Sequence, residues 1–298
     1  MKIISSKVFF GHNTNKASAE VPERLGELPE DWFRNEDLSG YTRYEHLLGY
    51  VHDDSYVEHI KRTCEGITNG IIPMSSDPEE GTFLCSNTYK VGCFAAGYAV
   101  DAVKESLTHE PTFAVVRPPG HHAERNVGKG FCIFNNMAIA VFYAVRELDK
   151  RVFIVDFDIH RGDGTQKMIE GEDRIYHVSI NREGIYPDEF SHNQGPDNVR
   201  NIYLPPGASE DGHLDGILRE LREKSGYFRP DVVGFSAGFD SCYLDNGWLE
   251  FSDFNMGKRY FESLRRFADE LGVPYFAVLE GGYNPQSVLF GIKTFAGI

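Results

Sequence analysis

The sequence predicts a single α/β domain, residues 1–298, built on a largely parallel sheet. Three observations carry that prediction. Short apolar runs rich in β-branched and aromatic residues alternate with longer segments of helical period. No Pro-, Gly- or Ser-rich linker or composition shift divides the chain, and no internal repeat appears. A length of 298 residues is within reach of one large domain.

Along the chain, residues 11–45 are polar and irregular. TYKVGCFAAGYAVDAVKESL (88–107) repeats its apolar positions at helical spacing, and TFAVV (112–116) is a β-type run. NNMAIAVFYAVREL (135–148) predicts a helix, and RVFIVDF (151–157) a strand buried on both faces. RIYHVSI (174–180) and NIYL (201–204) are further strands, LDGILRELREKS (214–225) a helix and DVVGFSA (231–237) a strand. FNMGKRYFESLRRFADELG (254–272) then predicts a helix and PYFAVLE (274–280) a strand. Strands alternating with helices of this length are the pattern of a parallel sheet covered by helices.

Composition narrows the function classes. Lys and Arg number 30 against 45 Asp and Glu, a formal charge of −15. That balance disfavours capture of nucleic acid or an anionic membrane and favours a cationic ligand. At 41% hydrophobic and 25% charged, the chain is not collagen-like, disordered or coiled coil. Five Cys (64, 85, 93, 132, 242) form no CxxC pair, and no secretory leader or long apolar run is present. Free thiols in a cytoplasmic protein are the expectation.

The residues immediately after each strand carry the chemistry. After TFAVV come Pro118, Pro119, Gly120 and the tandem His121–His122; after RVFIV come Asp156, Asp158, His160 and Asp163; after DVVGFSAG comes Asp240; after PYFAVL come Gly281, Gly282 and Tyr283. In open parallel sheets, ligands bind at the carboxyl ends of the strands. Asp158 and His160 sit two apart, so in extended backbone they would point to one side. With Asp240 they form a one-His, two-carboxylate set with room for a water, the count of a catalytic metal site. Asp-x-His alone is more often an ordinary strand end; the other strand ends reverse that judgement. The paired imidazoles suit a base and an acid. Asp156 and Asp163 are available to orient them. Tyr283 suits a donor to a developing oxyanion. Phe131, in GKGFCIFNN, either packs or lines an approach, and the residues alone leave both open. Cys132 beside it is expected to be buried and not a nucleophile.

These residues together resemble the histone deacetylase family, including its acetylpolyamine amidohydrolases. The resemblance rests on VPERL (21–25), VHDDSYVEHI (51–60), RPPGHHAE (117–124), GKGFCIFNNMAIA (128–140), VDFDIHRGDGTQ (155–166), SAGFDS (236–241) and LEGGYN (279–284), in family order. RPPGHHA and LEGGYN are similar to the class II-like branch. The resemblance implies the arginase–deacetylase fold and Zn²⁺-dependent hydrolysis of an N-acylated amine, with Fe²⁺ an alternative metal. It implies Asp158, His160 and Asp240 as metal ligands and His121 and His122 as the catalytic pair, His122 being the general base. Asp156 and Asp163 would be their carboxylates and Tyr283 the carbonyl-polarising group. Phe131, with Gly130 before it, would form one wall of an acyl channel and Tyr186 the other. A monovalent cation such as K⁺ would sit at Asp156, Asp158, His160 and Ser179.

The chain departs from the family at three places. Arg161 stands where a second His usually follows His160, and is expected to face away from the metal and pair with a carboxylate. Residues 181–198 lack the usual channel-wall sequence, and the acidic rim residue has only Asp77, Glu79 and Glu80 as candidates. With LEGGYN so near residue 298, a C-terminal helix common in the family is expected to be missing. Two other functions fit the residues less well. A dimanganese ureohydrolase needs more carboxylates than Gly238–Tyr243 supplies, and a non-catalytic acyl-amine binder would not need every chemical role filled. Neither substrate identity nor oligomeric state is legible.

Overall fold

The structure, a computed structural model, describes residues 1–75, 81–187, 195–249 and 252–298. Among the described residues ten strands run in chain order: β1 (Lys2–Ser6), β2 (Phe33–Arg34), β3 (Ile72–Pro73), β4 (Phe83–Leu84), β5 (Thr112–Ala114), β6 (Val152–Asp156), β7 (Ile175–Arg182), β8 (Val199–Leu204), β9 (Val232–Ala237) and β10 (Tyr275–Leu279). The helices are α1 (Asp54–Gly66), α2 (Thr88–Thr108), α3 (Asn136–Leu148), α4 (Asp163–Met168), α5 (Glu210–Phe228), α6 (Lys258–Leu271) and α7 (Pro285–Ala296). Every strand and helix predicted between residues 88 and 280 is present within a few residues of its predicted ends. Residues 11–45 hold only short 3₁₀ turns and β2.

Eight strands form one sheet in the order β2-β1-β5-β10-β9-β6-β7-β8. Every neighbouring pair in it is parallel. β3 and β4 make a separate antiparallel pair. Helices cover both faces, as an all-parallel sheet requires. α2 packs on α3, β5 and β10, while α5, α6 and α7 contact one another in sequence. Right-handed crossovers put these two groups on opposite faces, because β5→β6 and β9→β10 travel in opposite directions across the sheet. From β6 the chain moves on to β7; from β9 it moves away to β10. The boundary between β6 and β9 is therefore where the topology reverses, the place where such sheets open a crevice.

The central strands read as continuous apolar runs because both faces are covered: Val152, Phe153, Ile154 and Val155 of β6 are all fully buried. α3 starts where Asn135 accepts a hydrogen bond from Ala138 N at 2.9 Å. The expected loss of a C-terminal helix is corrected by α7. Asn284, the last residue of LEGGYN, caps it through Gln286 N at 3.0 Å, and Pro285 occupies its first turn. All five cysteines are unpaired and buried. Among the described residues, no helix is long and apolar enough to cross a membrane.

A buried charge cluster ties the irregular N-terminal segment to the sheet. Glu20 accepts from Arg117 Nε at 2.6 Å and Nη2 at 2.7 Å, and from Arg24 Nη1 at 3.0 Å. Both arginines are fully buried. Burial alone would raise the Glu20 carboxyl, but Arg117, His12 and Arg24 hold it far below the usual carboxylate range. Its folded pKa thus lies below its unfolded one, so the associated stability is complete above the unfolded value and is lost as pH falls towards the folded one. Chemical unfolding should show stability declining below about pH 4. Glu20→Gln should cost about 3–5 kcal/mol at pH 7, since it strands two buried guanidiniums, and should flatten that acid decline.

Candidate active site

β5, β10, β9 and β6 are contiguous in the sheet, so their carboxyl ends meet along one edge. After β6, acids alternate with apolar residues. Phe157 and Ile159 are fully buried, and Phe157 packs against Phe239 with ring centroids 5.8 Å apart. Phe239 in turn precedes Asp240. Each buried Phe contributes about 1.5–3 kcal/mol, which anchors the backbone at the points that carry Asp158 and Asp240.

Asp158, His160 and Asp240 converge, with donor atoms within 4.8 Å of one another. His160 Nδ1 lies 3.1 Å from Asp158 Oδ1 and 3.2 Å from Asp240 Oδ2. The spacing works through a bend, not through the extended backbone expected: Asp158 Oδ1 also accepts from His160 N at 2.9 Å. The remaining carboxylate oxygens are fixed by backbone. Asp158 Oδ2 accepts from Gly281 N at 2.8 Å and Asp240 Oδ1 from Ile159 N at 3.0 Å. Gly281 must be glycine here, because a Cβ would collide with both carboxylates.

The electrostatics of this cluster call for a cation. Burial and the neighbouring Asp158 push the Asp240 carboxyl up to about 7. Burial would lower His160, but Asp158 and Asp240 outweigh it and push the imidazole up to about 9. A proton on His160 thus takes the place of positive charge between two acids. Asp240 Oδ2 is buried and lacks a well-aligned hydrogen-bond donor. One imidazole nitrogen and two carboxylates facing one point suit Zn²⁺ or Fe²⁺.

The tandem histidines stand beside the cluster with different partners. His121 Nδ1 is 3.1 Å from Asp156 Oδ2, and His122 Nδ1 is 2.8 Å from Asp163 Oδ1. The two rings are 4.0 Å apart, and His122 lies 5.9 Å from His160, centroid to centroid. Burial depresses both rings. At His121 the Asp158 and Asp156 carboxylates overcome it and hold the pKa well above the ordinary range. At His122 the His121 charge adds to burial, and the pKa falls to about 4 despite Asp163. One ring is charged and its neighbour neutral.

Phe131 and Tyr283 meet edge to face at 5.5 Å, and Tyr186 stands 5.0 Å from His122. Phe131 has φ 69°, a left-handed conformation that costs a bulky residue about 1–2 kcal/mol. Its N–H donates to Thr82 Oγ1 at 2.8 Å, and Gly130 before it approaches the His122 ring where a Cβ could not fit. Burial raises the Tyr283 phenol well above its ordinary value, so it keeps its proton. Ser179, on β7 opposite Asp156, has a buried hydroxyl without a hydrogen-bond partner among the described residues. Arg161 is buried and donates to Gln166 Oε1 at 2.9 Å; it lines a separate cavity of about 470 Å³ with Glu124, Asp163 and Gln166. Asp77, Glu79 and Glu80 lie outside the described residues.

Three supporting residues are assigned no role by the sequence reading. Glu280 Oε2 accepts from Gly120 N at 2.7 Å and His121 N at 3.1 Å, joining the histidine loop to β10. Arg24 donates to the carbonyls of Glu280 and Gly282 and lies over the Tyr283 ring at 4.8 Å. Asp245 accepts from Tyr283 N at 2.8 Å and Asn284 N at 2.7 Å. The Tyr283 ring is turned inward against Phe131, and its backbone N–H is held by Asp245. Glu280 and Arg24 stand inside LEGGYN and VPERL, whereas nothing in the sequence marks Asp245. Cys132 is fully buried and its thiol is pushed up by burial, so it remains protonated.

A parallel α/β sheet with this cluster at its reversal point and paired histidines beside the cluster has the arginase–deacetylase fold. The solved HD domain of HDA15 superposes with a TM-score of 0.84 at 24% identity, covering all of this chain and 90% of that one. Residues 23–296 match the histone deacetylase domain, and the chain belongs to the histone deacetylase family of hydrolases. A probable deacetylase of Archaeoglobus fulgidus is 32% identical over 96% of this chain and 82% of its own. Histone deacetylase 14, chloroplastic, of Arabidopsis thaliana is 30% identical over 96% of this chain and 73% of its own. A probable deacetylase of Methanothermobacter thermautotrophicus is 31% identical over 80% and 71%.

The cluster predicts one divalent ion per chain, bound more weakly as pH falls because the His160 proton must leave. Metal analysis of Asp240→Ala should find the ion lost with the fold retained by circular dichroism. Titrating metal into unbuffered apoprotein near pH 7 should release about one proton or more per ion.

Proposed function

We infer that the protein is a metal-dependent deacylase that hydrolyses the amide of an N-acylated amine. The observation that supports this reading is the His122 ring, held through Nδ1 by Asp163 at 2.8 Å and standing 5.9 Å, centroid to centroid, from His160 of the Asp158–His160–Asp240 cluster. A divalent ion held by those three residues would act as a Lewis acid on the amide carbonyl and lower the pKa of a water.

The chain's own groups do the rest. Phe131 and Tyr186 flank the acyl group, and the Tyr283 phenol donates to the carbonyl oxygen as negative charge develops there. His122 takes a proton from the attacking water while a C–O bond forms at the carbonyl carbon. The same proton goes to the departing nitrogen as the C–N bond breaks, giving a carboxylate and an amine. Asp163 keeps Nδ1 of His122 protonated, so Nε2 is the basic nitrogen. His121 stays positive and stabilises the oxyanion electrostatically. A monovalent cation such as K⁺ beside Asp156 and Ser179 would satisfy the Ser179 hydroxyl.

The net charge of −15 suits a cationic amine, such as a polyamine or a lysine-containing peptide. Five buried thiols accord with a cytoplasmic enzyme. A panel of N-acetylated amines, assayed for acetate and amine in equal amounts, tests the reading. Silence across acetyl-lysine peptides and acetylpolyamines by metal-loaded protein would overturn it.

Two substitutions test the roles. His122→Ala should lower kcat by roughly 10²–10⁴-fold with little change in KM. Steady-state kinetics showing near-normal kcat would return the pair to a structural role. Tyr283→Phe should lower kcat by about 10²–10³-fold, the usual cost of one oxyanion donor. Wild-type kcat there would leave carbonyl activation to the ion alone.

A further inference from the structure

The orienting carboxylate of the base has a second partner. Asp163 offers Oδ1 to His122 Nδ1 at 2.8 Å, while Oδ2 accepts from Lys129 Nζ at 2.6 Å. The same ammonium donates to Glu124 Oε1 at 2.7 Å, and Glu124 is gripped through its other oxygen by Lys167. We propose that Lys129 is a positioning residue for the His122 base, its ammonium holding one oxygen of Asp163 so that the other stays on His122 Nδ1.

The geometry distinguishes this contact from an ordinary surface ion pair, which contributes little. The Lys129 side chain is 22% exposed and that of Asp163 11%, so both ends are largely shielded. Lys129 is also carried on a constrained turn. Cys132 N donates to Lys129 O at 2.9 Å, and Gly130 and Phe131 between them are both left-handed. One short turn thereby delivers a channel wall through Phe131 and the clamp on the base through Lys129.

Asp163 needs such a clamp because its other side lines the cavity of about 470 Å³ shared with Arg161 and Gln166. A carboxylate with one imidazole partner and a cavity beside it is free to rotate towards water. Its second oxygen, bound to a cation on a rigid turn, removes that freedom. His122 then presents its basic nitrogen in one orientation, the condition for proton transfer to a positioned water.

The kinetic consequence rests on the deacylase reading, so the test carries a readout that does not. Metal-loaded wild-type, Lys129→Met and Lys129→Arg proteins are compared on an N-acetyl-lysine amide and in crystal structures. Lys129→Met should lower kcat by roughly three- to tenfold, at or below the usual effect of a supporting partner. KM and the thermal midpoint should hold, and Lys129→Arg should recover most of the loss. In the Met variant Asp163 should turn from His122 Nδ1. An unchanged kcat, or a raised KM with kcat intact, overturns the proposal. If wild type itself is inert on the acetylated panel, the deacylase reading fails. The Lys129 assignment is then decided by the structures: a rotated Asp163 upholds it, and an unmoved Asp163–His122 pair overturns it.

Discussion

Two buried carboxylates, Asp158 and Asp240, face one imidazole across the boundary between β6 and β9, and the surroundings are organised around that crowding. Like charges in a shielded place repel and lose hydration, so the pair persists only beside positive charge. The fold supplies this at several points. His160 lies between the acids, His121 is held charged next to Asp158, and backbone N–H groups of Ile159 and Gly281 take the outward oxygens. The result is a preorganised set of donor atoms within 4.8 Å of one another, suited to a divalent ion.

The same crowding separates two adjacent histidines into different states. His121 feels Asp158 and Asp156 directly and is charged. His122 is farther from them and feels the His121 charge on top of burial, so it is neutral. A pair of titratable groups pushed apart by their surroundings is what acid–base chemistry near neutral pH requires. No separate device is needed: the carboxylates that would hold a metal also set the charge of their neighbours.

Much of this is legible in the sequence because the central strands are apolar on both faces and stop abruptly at polar residues. Val152–Val155 followed by Asp156-Phe-Asp-Ile-His160 announces both a strand and its functional end. The long-range relations lie beyond such reading. That β5, β10, β9 and β6 are neighbours comes from crossover connections, not from any local run. Glu20 and Arg117 meet across 97 residues of chain and Arg24 reaches Gly282 across 258, and only the folded chain brings them together. The Asp-x-His spacing suggests extended backbone and is a bend, and both geometries place the two side chains together. Asp245 carries no pattern at all, since a single acid in a polar loop is ordinary until the Tyr283 backbone is seen to rest on it.

Asp158, His160 and Asp240 are the proposed metal socket of the chain. Anomalous diffraction from crystals of metal-loaded protein tests it most directly. A single strong peak is expected within bonding distance of His160 Nδ1 and of one oxygen each from Asp158 and Asp240. A peak instead at the nearby buried group of His121, Cys132 and Glu280, or no peak between the two acids in active protein, would contradict it.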